Sequence, residues 1–462
     1  MSSSQAAALA GRLDRLPSSR YVWNIILLLS LGGCFEFYDL FFTAYVAPGL
    51  IGSGMFTATT VNFFGIAGFA SFVAATFAGL FVGTLAFGFV ADRFGRRTVF
   101  VYSLLWYSVF TAVMAFQNSA IAIDFWRFVA GIGIGIELVT IDTYISELIP
   151  RHLRGRAFAF SQTITFCVVP VVAFLAWMLV PMKPLGLDGW RWVVLVGSLG
   201  AIVVWWLRLG IPESPRWLIQ HGRVAEAEAI VSRIEAAVTA EMGKQLPAPT
   251  PVPEEQTNPG KWSEMWLPAY RGRTILLSIY NLLQTVGYYG FQTWVPTLLI
   301  AKGVEVTKSL EYSFIIAIAN PIGPLLGMLI ADKMERKWQI VIAALAIAGF
   351  GLLFSLPSSV VLVVLFGVLI TLSNNWLSFA FHAYQPELFP TRVRARAVGF
   401  VYSWSRFSVI FSSFIIAFFL GHFGVSGVFA FIALCMVAVA FIIGAFGPRT
   451  RNLALEEISK AA

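Results

Sequence analysis

Six ionisable side chains interrupt long stretches that are otherwise almost wholly apolar: Glu36, Asp39, Arg127, Glu137, Asp142 and Arg406. If those stretches cross a bilayer, each charge costs about 2.5–3.5 kcal/mol at a helix centre, so its placement needs a chemical reason. Glu36 and Asp39 are three residues apart and on a helix share a face, where they can titrate as a coupled pair. Arg406 lies ten residues past Arg396. At 1.5 Å per residue that puts it about 15 Å deep, near a membrane midplane. A guanidinium there requires an anion. Glu137, ten residues before Glu147 and so at similar depth, is one partner; a carboxylate carried by a ligand is the other. Polar side chains able to line a cavity between such charges are Thr43, Gln162, Tyr288, Gln292, Asn374, Asn375, His382 and Tyr402.

The elements that must position these residues follow from composition. Hydrophobic residues make up 58% of the 462 and charged residues 12%, and the apolar runs approach the roughly 20 residues that cross a bilayer. We expect an all-α integral membrane protein with twelve transmembrane helices near residues 22–48, 68–91, 98–117, 121–147, 157–181, 190–211, 272–300, 311–332, 338–356, 359–385, 396–420 and 424–447. Two motifs recur at one offset. Asp92 and Arg96 reappear as Asp332 and Arg336, and Tyr144, Glu147, Pro150, Arg154 and Arg156 as Tyr384, Glu387, Pro390, Arg394 and Arg396, each 240 residues on. A common offset for two motifs implies duplication, hence two pseudo-symmetric six-helix bundles. The expected organisation is an N-terminal bundle over 1–211, a cytoplasmic linker with an amphipathic helix over 212–270, and a C-terminal bundle over 271–462.

Charge sets the orientation. With both termini cytoplasmic, the inside segments hold 26 of the 32 basic residues and the outside loops four, Lys183, Arg191, Lys302 and Lys308, as the positive-inside rule requires. The net charge of +8 is this asymmetry plus attraction to anionic lipid headgroups, and it argues for no nucleic acid. Residues 1–20 are polar and basic, but the apolar run behind them is too long and too acidic for a cleavable signal, so it stays as the first span. Cys34, Cys167 and Cys435 have neither disulfide nor metal-ligand spacing, and the four histidines form no nucleophile or metal pattern, so we expect neither enzyme chemistry nor a cofactor. In the linker, Arg223–Val238 has helical periodicity, and the prolines of 247–253 form an extended tether.

Gly88, Asp92, Arg93, Gly95, Arg96 and Arg97, after the second span, resemble the signature loop of the major facilitator superfamily. The stretches Arg127 to Gly135, Glu147 to Gly155 and Pro212 to Leu218 resemble the sugar-porter pattern. Tyr288 to Pro296 and Tyr384 to Arg392 are similar to the branch holding niacin transporters, organic-ion transporters and synaptic-vesicle-glycoprotein-like carriers. The resemblance implies a clasp at the cytoplasmic face. In it Gly88, Asp92, Arg93, Arg96, Arg97, Glu147, Arg154, Glu213 and Arg216, with their second-half counterparts Asp332, Glu387 and Arg394, hold the halves together and separate during the cycle. Ordinary positive-inside charge is the alternative, above all for Asp332 to Lys337, which lacks the second glycine.

The same resemblance puts Asp39 where proton-coupled sugar porters carry an acid, and Arg127 where they carry its arginine. Protonating Asp39 would release that pair; a static buried salt bridge is the alternative. Glu36 stands where those porters are usually uncharged, so the proton can belong to either carboxylate. Arg406 matches the arginine that organic-anion transporters carry in this span. Gln162 matches a sugar-binding glutamine, and Gln284 sits as a glutamine of the seventh span does. With Glu137, Tyr38, Tyr288, Asn375 and Tyr402 these make the expected substrate site. We therefore expect a monomeric proton symporter of a small organic anion, such as nicotinate or benzoate, driven by the proton gradient in a bacterial inner membrane. A proton-coupled sugar or polyol porter is the first alternative and a non-transporting membrane sensor the second.

Overall fold

The computed structural model describes residues 3–59, 65–87, 90–208, 211–249, 262–330, 334–356, 359–389 and 391–450. It is a bundle of helices. Among the described residues seven helices are long and apolar enough to cross a membrane, and the longest of them, Thr391–Phe446, is two spans broken at Gly424, whose φ of 64° no helix interior adopts. The remaining four spans are Phe69–Phe87, Ala120–Leu148, Gly189–Arg208 and Pro268–Gln292. Twelve spans in two bundles of six result, as the sequence predicts.

Several spans differ from expectation at their ends. The first runs over Arg20–Tyr45 and continues as Ala47–Gly52. The fifth begins six residues early, at Arg151, and breaks at Cys167 into Arg151–Phe166 and Val168–Leu179. The seventh breaks before Pro296, where proline's missing N–H cannot sustain the ladder. The eighth is Val306–Ala317 followed by Ala319–Ile330.

Glycines on the fourth span explain how it is held. Gly131 and Gly135 face the second span, where a Cβ on Gly79 would run into the Phe128 carbonyl and one on Gly83 into that of Ile132. Gly133, half a turn round, meets the third span, with Trp106 at 2.7 Å and the Ser103 carbonyl at 3.0 Å from an added Cβ. Small residues on both faces let backbones touch where lipid gives no hydrophobic drive. This packing fixes Arg127, one turn away.

Ring contacts join the halves, among them Phe69 with Trp294, Phe77 with Tyr289, Phe81 with Phe407, and Phe314 with both Phe174 and Trp177. They run from mid-bundle to the end opposite the Arg93–Arg97 loop. At the basic end the linker folds as Pro215–Gln220 and Val224–Met242. The predicted helix therefore extends one turn further, to a Gly243 cap at φ 64°. An unforeseen N-terminal helix, Ser3–Asp14, lies against it: Leu9, Leu13 and Leu16 share one buried cluster with Val231, Ile234 and Val238. Arg12 and Arg15 close on Glu235 at 2.5 and 2.6 Å. The tether beyond residue 249 lies outside the described residues.

Candidate functional site

In the N-terminal bundle Asp39 and Arg127 form an ion pair in which all three guanidinium nitrogens and both carboxylate oxygens are hydrogen-bonded. Arg127, fully buried, pairs through Nη1 with the Asp39 carboxylate. Its Nη2 donates to the Asp39 carbonyl at 2.7 Å and to Thr43 Oγ1 at 2.8 Å, and its Nε donates to Thr76 Oγ1 at 2.8 Å. Thr111 Oγ1 donates to the second Asp39 oxygen at 2.7 Å, and the guanidinium stacks over Phe42, 4.4 Å from the ring centroid. Four spans meet at this one charge. Buried pairs are stable only when so completed.

The C-terminal bundle presents the opposite case. Arg406 Nη1 donates to Tyr289 OH at 2.6 Å and Nη2 to Tyr402 OH at 3.3 Å, while its guanidinium sits 5.1 Å from the Tyr402 ring centroid and 5.8 Å from that of Tyr289. Both partners are neutral. The Glu137–Arg406 pair weighed from depth does not form: Arg406 makes no ion pair within 4 Å among the described residues, because matching height leaves the helix azimuth undetermined. Glu36 is buried three residues from Asp39, and Asp39 is turned toward spans two to four, bonding Thr111 and Arg127.

Around Arg406 the described residues form an aromatic wall. Tyr289 meets Phe77 of the other half edge-on at 4.6 Å and Tyr288 at 4.9 Å, and His382, solvent-accessible, meets Tyr402 at 5.5 Å while holding the Ser378 carbonyl at 2.7 Å. Tyr289 was missed in the sequence. It adjoins the chosen Tyr288 and points about 100° away from it round the helix.

The other expected site residues fall into three groups. Gln284 and Tyr288 are buried on the seventh span near Arg406, Glu137 is fully buried, and Gln162 is exposed. Tyr38 turns away from the centre, donating to the Val193 carbonyl at 2.8 Å and packing on Gly197. Asn375 serves helix packing: its Nδ2 donates to the Asn320 carbonyl at 3.2 Å, and Gln292 reaches Asn320 Oδ1 at 3.4 Å.

At the basic end the duplicated motif is duplicated in bonds. Arg96 pairs with Glu147 at 3.2 Å, and Arg336 pairs with Glu387. Arg154 Nε donates to the Ile149 carbonyl at 3.0 Å and Arg394 Nε to that of Phe389 at 3.2 Å. Tyr144 OH donates to the Pro212 carbonyl, and Tyr384 OH to that of Pro448. Glu213 was expected to meet the arginine forks. It instead caps a helix start, accepting from the Arg97 and Ser214 amides at 3.1 and 2.9 Å. Gly95 is required there: its φ is +98°, and a Cβ would sit 2.5 Å from the Glu213 carboxylate. Arg93 is exposed over Phe94, and Arg216 is half-buried. Gly88 and Asp332, and the side chain of Asp92, lie outside the described residues.

Paired bundles with charges buried at their centre define a membrane transporter of the major facilitator fold. The chain belongs to the sugar (and other) transporter family, whose model matches residues 25–462. It is 32% identical over 445 residues to the putative metabolite transport protein YyaJ of Bacillus subtilis, covering 96% of this chain and 95% of that one. It is 28% identical over 453 residues to the niacin transporter NiaP of Acinetobacter baylyi, covering 97% and 99%. Among solved structures, the inward-open xylose transporter XylE of E. coli superposes with a TM-score of 0.74 at 20% identity over 95% of this chain and 99% of that one.

Proposed function

We propose that the protein is a proton-coupled symporter that brings a small organic anion, of the nicotinate or benzoate kind, across a bacterial inner membrane. The observation that carries this reading is Arg406, buried near mid-bundle and hydrogen-bonded to two neutral phenols. A carboxylate bound between those phenols would receive a forked, charge-assisted pair, and Tyr289, Tyr402, His382 and Phe77 would stack a flat ring. A neutral sugar has no use for that charge. The niacin transporter among the relatives supports the same class.

Coupling follows from Asp39, whose protonation would release the Arg127 pair and let the spans move. Glu36, three residues away, is the second candidate for the proton. We place the division between bundles at 211 and 271, both termini in the cytoplasm, and one chain as the transport unit. With that orientation the ring contacts of Phe69, Trp294, Phe174 and Phe314 seal the outer side, and the cavity faces inward. The Arg96–Glu147 and Arg336–Glu387 pairs each lie within one half, so they brace the inner ends of the spans and do not bridge the halves.

Proteoliposome uptake tests the reading. Radiolabelled nicotinate and benzoate should accumulate only with an inward proton gradient and xylose should not. Concentrative xylose uptake with no carboxylate uptake would leave the sugar-porter alternative standing.

A further inference from the structure

We propose that the groove between the seventh and twelfth spans binds one anionic phospholipid, with an acyl chain in the groove and the phosphate against Arg273. The groove has a volume of about 660 Å³. Its walls are two apolar rails, Ile275 and Ile279 on one helix and Ile442 and Phe446 on the other, each pair four residues apart and so stacked along its helix. Ile275, Ile279 and Phe446 are 49%, 40% and 68% exposed, open toward the hydrocarbon.

One end of the groove is polar and basic. Pro268 and Ala269, at the start of the seventh span, and Arg273 line it, and an advancing anion there meets the positive end of a 25-residue helix. Arg273 is anchored by an Nη1 bond of 3.0 Å to the Leu388 carbonyl, which fixes its charge at the groove. Exposed Arg271 and Arg449 flank it. Glu335, an acid of the same end, accepts from the Thr450 amide at 3.0 Å. Trp262 and Trp266, at the head of the same helix and about half exposed, mark the depth of the headgroup interface. An occupant must therefore join an anionic head at interface depth to an apolar stem running inward. A phospholipid does both, and basic pockets between spans are where anionic headgroups collect. A packed partner helix would cover the rails but bring no anion to the basic end.

The test uses the purified full-length chain in detergent and does not depend on what is transported. Phosphatidylglycerol should raise the melting temperature by at least about 3 °C more than phosphatidylcholine with the same chains, and should persist as a one-to-one adduct in native mass spectrometry. Gly272 lines the groove and has nothing within 4 Å of an added Cβ, so Gly272→Leu fills the groove without a clash and should abolish the difference. Arg271→Gln with Arg449→Gln should reduce it, and keeps the test valid should the leucine variant fail to fold. Equal shifts from the two lipids in the wild type, a preference surviving Gly272→Leu, or the same shift from inorganic phosphate alone would each overturn the proposal.

Discussion

Arg127 and Arg406 are both buried arginines near the middle of a bundle, and they differ in how they are completed. Arg127 holds a carboxylate, two threonines and a backbone carbonyl; Arg406 holds two phenols. A saturated guanidinium is part of the architecture, because removing one partner strands the other in a low-dielectric interior. An arginine bonded to neutral hydroxyls keeps most of its charge for a visitor. Chemical type and burial alike would have made the two residues equivalent; partner count separates them.

The largest effect should come from breaking the saturated site. Arg127→Leu leaves Asp39 buried without its counter-ion, at about 3–5 kcal/mol, and should lower the melting temperature further than either Arg406→Ala or Glu235→Gln. Asp39→Asn keeps an oxygen that can accept from Arg127 and is milder; it should abolish uphill uptake while leaving exchange across the membrane. A thermal melt of Arg127→Leu that overlays the wild type would erase the distinction between the two arginines.

Arg406 should behave in the reverse sense. Arg406→Ala should melt close to wild type, yet lose substrate protection and at least about a hundredfold in carboxylate affinity, the worth of two charge-assisted bonds. Arg406→Lys should fall between, because a point charge cannot reproduce the fork, and Tyr289→Phe should cost about tenfold through loss of the 2.6 Å bond. If Arg406→Ala unfolds the protein and Glu36→Gln restores it, the arginine is a structural counter-ion of Glu36 and the anion reading loses its support.

A third arginine–carboxylate site, at the water-facing end, tests what burial contributes. Burial alone would raise the Glu235 carboxyl, but the hydrogen bonds from Arg12 and Arg15 outweigh it and hold it below the usual range. A carboxyl depressed in the folded state gives stability that is complete above its unfolded pKa, about 4.3, and is lost as pH falls through the lower folded value. The hydrogen-exchange protection factor over residues 3–14 should therefore hold from pH 8 to about 5 and fall only in more acid solution. Glu235→Gln should loosen the helix by only about 1 kcal/mol. A transition near pH 6 would mean that another group controls it.

Much of this was legible in the chain. Hydropathy gave the twelve spans, the 240-residue offset gave the duplication, and the motifs gave the Asp39–Arg127 and Arg96–Glu147 partners. The failures have a common physical origin. Helical rise converts sequence distance into depth, but azimuth depends on packing, so Glu137 was matched to Arg406 by height while Tyr289 and Tyr402 hold it from other directions. Tyr38 and Asn375 were misjudged likewise, as polar groups whose partners are backbone carbonyls on neighbouring helices. The N-terminal helix escaped because its stability comes from leucines meeting a linker about 220 residues away, which no local window contains.

Phe69 and Trp294 are both wholly shut away from solvent, and their contact carries no charge. A gate built from ion pairs would invite a file of water, along which protons hop. Edge-to-face rings give such a file no foothold. In the proposed symport the contact would work as electrical insulation: a carrier that spends a membrane voltage must not short-circuit it between turnovers, and an uncharged aromatic joint closes the path.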